Sequence, residues 1–186
     1  MNKEKVLEEY YYNYLDNSKE FSSDSKELFL KFLLSLNDTL YDVYILLMDV
    51  YYEKDEYIQG FEIVEKGYQV MLKKEFNNTL PTELEYYDIN NRDKFRLMFN
   101  YADSEWIKGN KDKALNLFIY LLKICPNDNI GARFAVCGIL EGYESIPDLE
   151  EREDEFIGNW FTKAILKHIK HPDYKFMKNY LDNTKN

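Results

Sequence analysis

Glycine and proline are scarce, with 7 Gly and 4 Pro in 186 residues. A β-sandwich, which must turn every few residues, and a collagenous or low-complexity chain all need more. Cys125 and Cys137 are the two cysteines, and they cannot build a disulfide framework. No CxxC pair occurs and both lie in apolar surroundings, so buried free thiols are expected. Histidine is confined to His168 and His171, spaced i, i+3 near an expected helix end. Two such ligands without a nearby cysteine make a poor metal site, and a histidine there already suits the helix dipole. No HExxH, GxSxG, P-loop, GxGxxG or DxDxDG motif is present. Neither enzyme chemistry, nor a cofactor, nor a metal is expected.

Long apolar runs are missing too. Leu28–Leu36 is broken by Lys31, and Val43–Met48 is short. Both fall far below the roughly 20 residues that span a bilayer. The first residues, Met-Asn-Lys-Glu-Lys-Val-Leu-Glu-Glu-Tyr, lack the apolar centre of a secretory signal. A cytoplasmic protein without membrane contact is the expectation. Cations are outnumbered, 24 Lys and Arg against 34 Asp and Glu, for a net charge of −10. The densest basic stretch, Lys163–Lys170, holds only three Lys and one His. Such a chain repels phosphate backbones, so no nucleic-acid partner is expected. The acidic cluster Asp148, Glu150, Glu151, Glu153, Asp154 and Glu155 reads most simply as a solvated helix N-terminus, with a cation or basic partner as the alternative.

What the chain has in quantity is aromatic bulk: 17 Tyr and 12 Phe. Nearly every segment repeats its apolar residues at helical spacing. Residues 3–16 carry a stripe of Val6, Leu7, Tyr10, Tyr11, Tyr14 and Leu15. Asp24, with Glu27 three positions on, predicts a capped helix over 25–36. Asp38 or Thr39 would cap a helix over 40–53 that is apolar almost all round and must be sandwiched. A helix over 57–75 follows, then a non-periodic stretch, 76–91, with one helical turn expected at 83–87. Helices are expected at 92–108 and 111–124, split by Gly109-Asn110. Pro126-Asn127-Asp128 would stop the second and cap a helix over 129–142. Further helices are expected at about 149–169 and 173–181. The fold class is therefore all-α, with about eight or nine helices.

Residues 95–128 form one 34-residue unit. Ala102 lies mid-way along its first helix, Gly109 in the turn, Ala114 and Phe118 in the second helix, and Pro126 at its end. Small residues at Ala102 and Ala114 let paired helices approach at the short end of the 8–10 Å range. Phe118 then fills the space between units. This pattern resembles the tetratricopeptide repeat. Residues 41–74 fit it more loosely, with Gly60 and Gly67 at the small positions of the second helix. A degenerate third unit is placed at 129–169. Asn90-Asn91-Arg92-Asp93-Lys94-Phe95-Arg96 and Cys125-Pro126-Asn127-Asp128-Asn129-Ile130-Gly131-Ala132-Arg133 resemble motifs of a mainly bacterial group of such proteins. Asp93 stands where that group has Pro, Cys125 where it has Asn, and Ile130 where it has Gln. The resemblance implies one solenoid of antiparallel helix pairs. Its parts are N-terminal helices 1–38, repeat 41–74, insertion 76–91, repeat 95–128, degenerate repeat 129–169 and C-terminal helix 173–181. A closed helical bundle is the alternative.

In tetratricopeptide proteins the first helix of each pair lines a concave binding face. Carried over by position, that face would hold Asp49, Tyr52, Arg96, Phe99, Asp103, Trp106 and Arg133, with Trp106 and Phe99 as anchors. The function implied is a non-enzymatic module that binds a partner's peptide or helix. A homodimer is one alternative, since the Tyr-rich first helix could serve as a contact. A small anionic ligand at Arg92, Arg96 and Arg133 is another. Arg92 and Arg96, neighbours on one helix face, could instead form ion pairs that pin the insertion.

Overall fold

A computed structural model describes residues 3–145 and 157–181. Among these residues every regular element is helical: α1 Lys3–Asn17, α2 Ser23–Leu36, α3 Tyr41–Glu53, α4 Tyr57–Glu75, α5 Arg92–Ile107, α6 Lys111–Ile124, α7 Ala132–Leu140 and α8 Ile157–His168. Short 3-10 helices occupy Ser18–Glu20, Ile89–Asn91 and Pro172–Tyr180. The acidic cluster at 148–155 lies outside the described residues. None of the described helices is long and apolar enough to cross a membrane. The chain divides into two compact units, Met1–Pro81 with Arg92–Leu97, and Thr82–Asn91 with Met98–Asn186.

The first unit is organised by α3. Its Tyr41, Val43, Tyr44, Leu47, Met48, Val50 and Tyr51 are all buried, and α2 and α4 both pack on it. Leu30 and Leu33 of α2 reach 0% exposure in this core, where Leu7 and Tyr14 of α1 join them. The expected cap of α2 is displaced by two residues. Ser22, not Asp24, is the N-cap, its hydroxyl accepting the Ser25 N–H at 3.3 Å. Asp24 sits in the first turn, where an acid suits the dipole. Glu27 is drawn away from any capping role by Lys31 at 2.5 Å and Lys54 at 2.7 Å. Hydrogen bonds from these two lysines hold its carboxyl down to about 2. Neither expected cap of α3 serves it: Leu40 is the N-cap, Thr39 donates to Asn37, and Asp38 pairs with Lys74.

The α3–α4 pair depends on two glycines. A Cβ on Gly67 would lie 2.5 Å from Cγ of Tyr44, and one on Gly60 would lie 2.6 Å from Cε1 of Tyr52. Tyr44 has no room to retreat: it is 1% exposed and its hydroxyl donates to the Asp38 carbonyl at 3.1 Å. Just past the end of α4, Asn77 and Asn78 are both left-handed, and the Asn78 N–H closes on the Leu72 carbonyl at 2.8 Å. Asparagine tolerates that conformation better than other side-chain-bearing residues.

In the second unit, the helical turn of the insertion falls at Ile89–Asn91 and not at 83–87. Asp88 sets it, accepting the Asn90 N–H at 3.0 Å and the Asn90 side-chain amide at 2.9 Å. Gly109, at φ +84°, turns α5 into α6. The Asn110 N–H then bonds the Glu105 carbonyl at 2.8 Å, and the Asn110 side chain bonds the Glu105 carboxylate. Ala102, Ala114 and Phe118 are fully buried, and Phe99 meets the Phe118 ring edge-on at 5.1 Å. α6 ends at Ile124, short of exposed Pro126. α7 starts later than the sequence predicts because Asp128 and Gly131 adopt left-handed backbone and hold the intervening residues out of the helix. Asp128 nevertheless caps it, accepting the Ala132 N–H at 2.7 Å and the Arg133 N–H at 3.0 Å. The last expected helix is 3-10 in form, over Pro172–Tyr180.

Replacing Gly67 by Ala gains about 1 kcal/mol in helix propensity but forces Tyr44 out of place, at about 1–3 kcal/mol. A net loss of about 1 kcal/mol is expected, read as a lower urea midpoint with an unchanged slope. Gly67→Ala matching wild type would show that the α3–α4 contact is looser than described.

Candidate functional site

The residues predicted to share one concave face divide between the two units. Asp49, Tyr52 and Arg96 belong to the first, and Phe99, Asp103, Trp106 and Arg133 to the second. Most are engaged by their own unit. Tyr52 packs on Tyr57 and Phe61 with ring centres 5.5 and 6.1 Å apart, while Asp49 is exposed on α3. Arg96 forms a fork on Asp42, with Nε to Oδ1 at 2.9 Å and Nη2 to Oδ2 at 2.5 Å. Arg133 reaches Asp128 Oδ2 at 2.8 Å and stacks 4.4 Å from the Phe134 ring. Trp106 is 0% exposed, and its Nε1–H donates to the Tyr143 carbonyl at 2.9 Å. An indole so enclosed is core, not a surface anchor. Arg92 is exposed, and Asn91 anchors the insertion by donating to the Glu85 carbonyl at 3.0 Å.

Burial is the largest cause of the shifts at both cysteines and at Asp103. Cys137 is pushed up to about 12, mainly by desolvation, and Cys125 is also raised. Neither is a thiolate nucleophile near neutral pH. Asp103 is half-buried with Oδ1 enclosed and unbonded, and desolvation raises it to about 6. His168 contacts Glu141 at 2.5 Å and His171 caps the C-terminal 3-10 helix. No group of three or more His, Cys, Asp or Glu among the described residues could hold a metal.

The feature that sequence reasoning missed is in the first unit. Between α1 and α2 runs an open groove of about 1020 Å³. Tyr10, Asn13 and Asn17 line it from α1, and Ser25, Leu28, Phe29 and Phe32 from α2, with Glu20 and Phe21 at the connection. Tyr14 anchors its floor, stacked on Phe29 with rings 5.5 Å apart and 10° from parallel. Leu28 is 73% exposed, Phe32 47%, Tyr10 45% and Phe21 43%. Single exposed apolar residues are ordinary, but four around one groove are not. Polar punctuation comes from Asn17, whose amide donates to the Asn13 carbonyl and side chain, and from the Ser22–Ser25 hydroxyl pair. The available signal was the composition of α2. Leu28, Phe29, Leu30, Phe32, Leu33, Leu34 and Leu36 cover more of the helix than one buried face uses.

Comparison with protein-family models, with curated proteins and with solved structures finds no match for this chain.

The raised carboxyl of Asp103 has a testable consequence. Its proton is held to about 6 in the folded protein and released near 3.8 when unfolded. The folded state therefore binds the extra proton between those values, and stability falls as pH rises through that window. Asp103→Asn should match wild type near pH 3 and exceed it by about 1–2 kcal/mol at pH 7, allowing for partial exposure. Chemical denaturation at the two pH values measures the difference, and a pH-independent difference would contradict the assignment.

Proposed function

We propose that this protein is a non-enzymatic interaction module of tetratricopeptide-like helix pairs that binds a peptide or helix of a partner protein. The observation that carries this reading is the groove between α1 and α2, with Tyr10, Phe21, Leu28 and Phe32 left in solvent around it. Helical interaction domains commonly receive an amphipathic helix in such a trough, the apolar side chains giving affinity and a few polar groups fixing orientation. The repeat reading is supported by the α3–α4 and α5–α6 pairs, whose small residues Gly60, Gly67, Ala102 and Ala114 are all buried. The binding face proposed here differs from the one the repeat pattern suggests. Trp106, Arg96 and Arg133 already have internal partners, so those positions offer less to a ligand. Commitment of both arginines to carboxylates equally weakens the case for a small anion.

A photo-crosslinking side chain introduced in place of Leu28 should form adducts with a partner protein in cell lysate. One placed at exposed Glu62 on α4 should not. Adding Phe32→Asp to the Leu28 variant should abolish the adducts. Equal labelling from both positions, or adducts indifferent to Phe32→Asp, would refute the groove as the binding face.

A further inference from the structure

Resting on the groove reading above, we infer that the occupant is a basic amphipathic helix of a partner protein, its apolar stripe on the groove and its lysines or arginines against an acidic rim. Three observations carry this. The groove is flanked by acids: Glu20 lines it, and Asp16 and Asp24 are exposed one turn from the lining residues Asn13 and Leu28. Glu9, exposed beside Tyr10, falls on the same α1 row as Asn13 and Asp16, at i, i+4 and i+7. Against them stands Lys19, exposed in the connection. Lys31 on α2 is held by Glu27 at 2.5 Å, and Asp24 retains a side chain 86% exposed while touching Lys54 at 3.0 Å.

Shape is the second observation. Both walls are helices, and α1, at 15 residues, runs about 22 Å, the length of a four-turn helix. A third helix laid in the trough would present residues at i, i+3, i+4 and i+7 to Tyr10, Leu28, Phe29 and Phe32. Overall charge is the third. A chain at −10 repels a second copy of itself at long range and attracts a cationic segment. Charge complementarity of this kind discriminates between partners sharing the same apolar stripe.

The test uses the full chain and three labelled synthetic 14-residue amphipathic helices. They share one Leu/Phe stripe and carry Lys, Gln or Glu on the flanks. Fluorescence anisotropy should rank them Lys, then Gln, then Glu, with about a tenfold or greater gap between the first and last. Raising the salt from about 50 to 500 mM should close most of that gap, since exposed charges are screened over a Debye length. Phe32→Asp should abolish binding of the Lys peptide, and Asp16→Asn with Glu20→Gln should weaken it while leaving the Gln peptide unaffected. Three peptides that bind equally well would overturn the basic-partner inference and leave the groove reading standing. Binding by none of them would overturn both. Sedimentation showing a dimer that Phe32→Asp dissociates would also overturn the inference, with a second copy as the occupant.

Discussion

The first unit depends on covering α3 from two sides. A helix with Tyr41, Val43, Tyr44, Leu47, Met48, Val50 and Tyr51 all buried has little face left for water. Burying each of the larger side chains contributes about 1.5–3 kcal/mol, so both neighbours are fixed strongly against it. On one side, α4 approaches so closely that a Cβ at Gly60 or Gly67 would lie 2.6 or 2.5 Å from a tyrosine ring of α3. On the other, α2 turns Leu30 and Leu33 inward to 0% exposure. That orientation decides what remains outside. With residues 30 and 33 committed to the core, 28 and 32 must point elsewhere, because side chains on a helix cannot serve two faces. The groove is thus a consequence of the core: α2 carries more apolar surface than α3 can cover.

Electrostatics in this unit reinforces the same arrangement. Lys54, just past the end of α3, bridges Asp24 and Glu27 of α2 at 3.0 and 2.7 Å. Lys26 of α2 reaches back to Glu53 at 2.9 Å. These are partly exposed pairs, each worth little alone, but together they fix the register of α2 against α3. The acids farther along α1 and the connection, Asp16 and Glu20, take no part in that network and face the solvent beside the groove. Asp24 both pairs with Lys54 and keeps an exposed side chain, whereas Asp16 and Glu20 leave their charge beside the trough, the arrangement on which the proposed cationic partner rests.

Much of the helical layout is legible in the sequence. The apolar period marks α4 at its observed limits, and Gly109 marks the α5–α6 turn because a left-handed residue is needed there. What the sequence conceals is mainly choice among equivalent side chains. Ser22, Asp24 and Asp38 are all plausible caps, and only packing decides that Ser22 serves while Asp24 and Asp38 meet lysines. The proposed binding face is concealed for a related reason. Trp106, placed by repeat position, looks like an anchor, yet the Tyr143 carbonyl and the Phe118 ring enclose it. Leu28 and Phe32 look like core and stand in solvent. Periodicity identifies apolar faces but not which of two such faces finds a covering helix.

The most direct test of the central claim is a map of amide shifts in the isotope-labelled protein as the Lys-flanked helix is titrated in. Changes should concentrate at Tyr10, Asn13, Asn17, Phe21, Ser25, Leu28 and Phe32, leaving the outer face of α4 and the second unit's Trp106 undisturbed. Saturable shifts centred on Trp106, Phe99 and Asp103, with α1 and α2 silent, would contradict the account and return the binding face to the position the repeat pattern suggests.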